Sequence, residues 1–152
     1  MKRNDIIKGA LASGVLNAVI NGIINWFMVR DTAEILLAQD LISSHDKTIF
    51  AGIVPLATSL AFILTTVSYF TIKMKDKPKY FPKVFLWALR NTIFAFGLIV
   101  AIAILVQRVA SDVTATPLVS AILAGITAGV VGAIVDYMTK SQIADEKQIH
   151  NN

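Results

Sequence analysis

The chain has 152 residues, 55% of them hydrophobic and 16% charged, with a mean hydropathy of +0.66. Soluble domains average about 45–50% apolar and about 25% charged residues, so this composition excludes an ordinary soluble enzyme and a conventional nucleic-acid binder. It excludes a disordered chain as well, because disorder requires low hydrophobicity.

The apolar residues gather into four runs, over residues 7–29, 49–72, 84–106 and 118–138. Each is close to the ~20 residues a helix needs to cross ~30 Å of hydrocarbon. The runs are continuous rather than alternating, which predicts helices and not the strands of a membrane barrel. The expected fold is all-α: a polytopic membrane protein built as a four-transmembrane-helix bundle, with a polar tail over 139–152.

The first run follows a basic start, Lys2-Arg3, but exceeds the roughly 7–15 apolar residues of a signal peptide and has no small-residue cleavage site after it. A retained helix is expected. Within it Ser13, Asn17, Asn21 and Asn25 recur every fourth residue, a stripe along one side at about 100° per residue. Polar side chains in hydrocarbon face protein or water. Two roles stay open: bonds between helices, at ~0.6 kcal/mol each, or the lining of a polar pathway.

After the first span, Asp31-Thr32-Ala33-Glu34 has the form of a helix N-cap with an acidic partner three residues on. It predicts a short extracytoplasmic helix from Ile35 to Ile42. In the second span Pro55, Thr58, Ser59, Thr65 and Thr66 fall within about 120° of arc. Two consecutive spans with one polar side each are expected to share a cavity. The candidate polar pathway is therefore Asn17, Asn21, Asn25, Thr58, Ser59, Thr65 and Thr66.

The second connection carries Lys73, Lys75, Lys77, Lys79 and Lys83 against Asp76. Juxtamembrane lysines gain about 1 kcal/mol each near anionic lipid, so this loop is a candidate lipid contact. Span three holds Arg90 and Asn91 some two turns inside the membrane. Span four presents Ala121, Gly125, Gly129 and Gly132 as a face nearly free of side chains, the spacing that lets helix backbones approach. It is expected to pack within the bundle or against a second copy. Asp136 lies at the end of that face, level with Arg90, and the two are expected to form an intramembrane ion pair.

Basic residues concentrate in the N-terminal segment (Lys2, Arg3, Lys8) and the second connection, whereas the first connection is acidic, with Asp31, Glu34, Asp40 and Asp46 against Arg30 and Lys47. The positive-inside rule then predicts cytoplasmic N- and C-termini in a plasma (inner) membrane. The two histidines, His45 and His150, have no metal-ligand spacing, and the chain has no cysteine. No catalytic, cofactor or nucleic-acid motif is present. The expectation is a non-enzymatic, self-associating channel or transporter for a small ion or polar solute. The alternative is a non-transporting membrane subunit that organises lipid or regulates a partner. No acid lies in mid-membrane, which favours a passive path over a proton-driven one.

Overall fold

The computed structural model describes residues 3–39, 47–74, 77–110 and 112–150, the last four by backbone alone. Four helices account for most of them: α1 Arg3–Val29, α2 Ile49–Thr71, α3 Phe85–Ala110 and α4 Pro117–His150. Each is long and apolar enough to cross a membrane. Large apolar side chains such as Leu11, Val15, Ile63, Phe70, Leu105 and Ile122 point outward from them. So continuous an apolar surface is unfavourable in water but matches lipid tails.

The bundle is open. α1 packs against α4, α4 against α2, and α2 against α3, while α3 and α4 barely touch. The most apolar window is 44% buried in α2 and in α4 but 17% buried in α1 and in α3. α2 and α4 are thus the inner pair. Their core joins Ile53, Ala57, Ala61 and Leu64 to Ala124, Ala128, Val131 and Val135, with Ala95 and Ile99 of α3 alongside.

Contact between α1 and α4 depends on small residues from both helices. Ala10, Gly14, Ala18 and Gly22 recur every fourth residue in α1, opposite Ala121, Gly125, Gly129 and Ala133 of α4. A methyl group placed on Gly125 would lie 2.8 Å from the Ala18 carbonyl oxygen, and one on Gly129 would lie 2.9 Å from the Ala18 Cβ. The approach requires glycine at both positions. The small face of α4 is therefore occupied within the chain and is not open to a second copy.

Beyond the first span the structure differs from expectation. Ile35–Leu36 is a short strand, β1, paired antiparallel with β2, Thr114–Ala115. The Leu37 N–H donates to the Val113 carbonyl at 2.9 Å, and the Phe50 N–H donates to the Leu37 carbonyl at 3.2 Å. Glu34, expected to close an N-cap, instead accepts from the Thr114 hydroxyl at 2.7 Å. The backbone hydrogen bonds that a helix over 35–39 would make locally go to the third connection and to the start of α2 instead. The remainder of that expected helix, residues 40–42, lies outside the described residues, as does His45. The β1–β2 pair holds the first and third connections at one end of the molecule.

At the opposite end, helix α4 does not stop at Met138 but continues to His150. Thr139 and Ile143 are fully buried, and Glu146 pairs with Lys83 just ahead of α3. The segment expected to be a polar tail is a docked helical extension, because its apolar and charged residues find partners on α2 and α3. One broken turn, Tyr80–Val84, leads into α3, with Phe81 extended (φ −102°, ψ 137°).

A polar seam and a buried polar layer

The asparagine stripe lies directly beside the small face of α1, so the α1–α4 contact carries it to the edge of α4. Asn25 Oδ1 accepts from the Ser120 hydroxyl at 3.1 Å. A methyl group on Gly132 would lie 3.3 Å from Asn17 Cβ and 3.4 Å from Leu64 Cδ1, so α1, α4 and α2 meet at this point. The floor of the seam is a row of α4 residues four apart, Ser120, Ala124, Ala128, Gly132 and Asp136, all buried.

Asn17 and Asn21 are half-buried, and each donates its amide N–H to the preceding turn, to Ser13 O at 2.8 Å and Asn17 O at 2.9 Å. Neither side-chain oxygen has a partner among the described residues, and neither is sealed in the interior. Both are open acceptors. At the β1–β2 end the seam widens into a cleft of about 560 Å³ lined by Asn25, Thr32, Glu34, Lys47, Thr48 and Ser120.

The hydroxyl arc of α2 does not join this seam. Pro55, Thr58 and Ser59 line a groove on the other side of α2, facing Thr92 and Phe96 of α3. Thr58 donates to Val54 O at 2.7 Å, Ser59 to Pro55 O, and Thr65 to Ala61 O at 2.9 Å. Thr66 donates to Phe62 O at 3.1 Å and shares a hydrogen bond with the Tyr80 hydroxyl. The cavity expected between the two polar faces is not formed, because α4 and not α1 is the neighbour of α2.

A buried polar layer crosses the basic end. Asp136 accepts from the Ser68 hydroxyl and from Lys140 Nζ, the latter at 2.6 Å. On the other side of α2, Asn91 Nδ2 donates to Thr65 Oγ1 at 3.0 Å, with Asn91 only 1% exposed. Among the described residues its Oδ1 has no hydrogen-bond partner, and neither has Gln142 Oε1.

The expected pair of Arg90 and Asp136 is absent. Arg90 is exposed on α3, and Asp136 is neutralised by Lys140 from its own helix, one turn further on. α3 and α4 stand apart, so the two side chains do not meet. Among the lysines of the second connection, Lys77 lies 4.4 Å from the Tyr69 ring centroid and donates to Tyr69 O at 3.0 Å, while Lys83 pairs with Glu146. Lys73 and Lys79 are exposed; Lys75 lies outside the described residues.

Sequence reasoning overlooked the small face of α1 and the role of Lys140. Both had a signal: Ala10, Gly14, Ala18 and Gly22 share the four-residue spacing of the asparagines, and Lys140 stands four residues after Asp136. In comparisons with known proteins, no family model, no curated protein and no solved structure matches the chain.

Proposed function

We propose that this protein is a passive carrier or channel for a small cation or hydrogen-bond-donating solute, working along the seam between α1, α4 and α2. The observation that carries this is the pair of open amide oxygens on Asn17 and Asn21. In hydrocarbon an accepting oxygen without a partner is costly. A file of them, continued by Asn25 and Ser120 at one end, substitutes for the hydration shell of a passing cation or donor.

The cleft with Glu34 and Lys47 is the entrance, and the Asp136–Lys140–Ser68 cluster borders the far end. Since the helices form an open row, a second copy of the chain completes the wall of the path. This contact uses apolar faces other than the small face of α4. The basic second connection supports, by the positive-inside rule, a cytoplasmic position for that end and both termini, in a plasma (inner) membrane. No step requires an enzyme activity or a cofactor.

The test is flux in proteoliposomes, with small monovalent cations and ammonium-bearing solutes compared against anions. Cation or donor flux that drops at least several-fold in the Asn17→Leu/Asn21→Leu variant, with helicity and elution profile preserved, supports the proposal. Anion-selective flux, flux unchanged in the variant, or no flux in the unmodified protein overturns it.

A further inference from the structure

We infer that the open groove between α3 and α4 is a binding site for one anionic phospholipid, its phosphate held by Arg90. The upper groove, about 200 Å³, is lined by Phe94, Leu98 and Ile102 of α3 and by Ile126, Val130 and Ile134 of α4. Its walls are apolar apart from Thr127, and it lies within the apolar, span-length part of both helices. This is the environment of an acyl chain.

On α3 the lining residues are four apart, and Arg90 continues their row one turn toward the basic end. The guanidinium is exposed and has no ion pair among the described residues. It enters α3 six residues after Val84, about 9 Å along the axis. A lone cation at that depth is costly and reaches back toward the head groups.

On α4 the corresponding row runs through Ile134 and Met138 to Gln142, whose side-chain oxygen is buried and has no partner among the described residues. An apolar slot ending in an unpaired guanidinium matches the shape and charge of a phospholipid. Arg is suited to the head group because its planar fork bonds two phosphate oxygens at once. The site is independent of the proposed polar seam, which lies on the other side of α4.

Trp87, one turn before Arg90 on α3, packs on the cluster of Tyr69, Ile72, Val84 and Ile143. The other tryptophan is Trp26, so Trp26→Phe leaves Trp87 as the sole emitter. In liposomes containing brominated phosphatidylglycerol or brominated phosphatidylcholine, Trp87 is expected to be quenched several-fold more effectively by the anionic lipid. Arg90→Gln is expected to abolish that preference, and Arg90→Lys to retain part of it. Lys73→Gln with Lys79→Gln is expected to leave most of it. Equal quenching by both lipids in the unmodified groove overturns the inference. So does a preference that survives Arg90→Gln or disappears with the two lysines, since that marks general attraction to a basic surface.

Discussion

Gly125 of α4 and Ala18 of α1 are in backbone contact: a methyl group added to Gly125 would lie 2.8 Å from the Ala18 carbonyl oxygen. Because the obstructing atom is backbone, the two helices must separate to admit any side chain. Gly125→Ala and Gly129→Ala are each expected to lower stability by about 1–3 kcal/mol, the usual cost of overpacking. Gly52 and Gly97 face open space. Alanine there should be neutral or stabilising by up to about 1 kcal/mol, through helix propensity. Thermal unfolding in detergent distinguishes the two pairs.

Asp136 and Lys140 neutralise each other in a largely buried setting, with side-chain exposures of 4% and 17%. Removing one partner leaves a buried charge alone, which typically costs about 3–5 kcal/mol. Asp136→Asn and Lys140→Met should each destabilise strongly, and the double variant less than the sum. Arg90→Gln should change stability little, and Asp136→Arg should not rescue Arg90→Asp. A double-mutant cycle on unfolding midpoints reads these couplings.

Asn91 donates to Thr65 while its own oxygen has no partner among the described residues. Thr65→Val leaves the amide N–H without a partner too, and should cost about 1–3 kcal/mol. Asn91→Leu removes both polar atoms together and should cost less than Thr65→Val, or stabilise. Thr65→Val proving the milder change would contradict this packing of α2 against α3.

Ile35 and Ala115 face each other across the β1–β2 pair. Since the chain has no cysteine, Ile35→Cys with Ala115→Cys should cross-link on mild oxidation, detected by a mobility shift and peptide mass. Were residues 35–39 helical, the two thiols would not meet and the yield would be negligible.

The four spans were legible because twenty or more apolar residues in succession allow only one backbone solution in hydrocarbon. Adjacency was not. Which helix neighbours which depends on facing surfaces, and the small residues of α1 pair with those of α4 more closely than any polar match between α1 and α2. Local signals also yielded to tertiary ones. The capping pattern at Asp31 to Glu34 lost to strand pairing with Thr114 and Ala115. The polar stretch after Met138 stayed helical because Thr139, Ile143 and Glu146 all find partners. The asparagine stripe itself was visible in the sequence, but not the direction of its amides, which is set by bonds to the preceding turn.

The most direct measurement is the water accessibility of the stripe. Single cysteines at Asn17, Asn21 and Asn25, and for comparison at Val15, Leu16 and Val19, can be probed in membranes with a small, charged thiol reagent. Transport along the seam predicts labelling at 17, 21 and 25 and none at 15, 16 and 19, whose apolar side chains are exposed on the outside of the bundle. Absence of labelling at 17 and 21, or labelling equal to that of the outward apolar positions, would contradict a polar path and leave the asparagines as helix contacts.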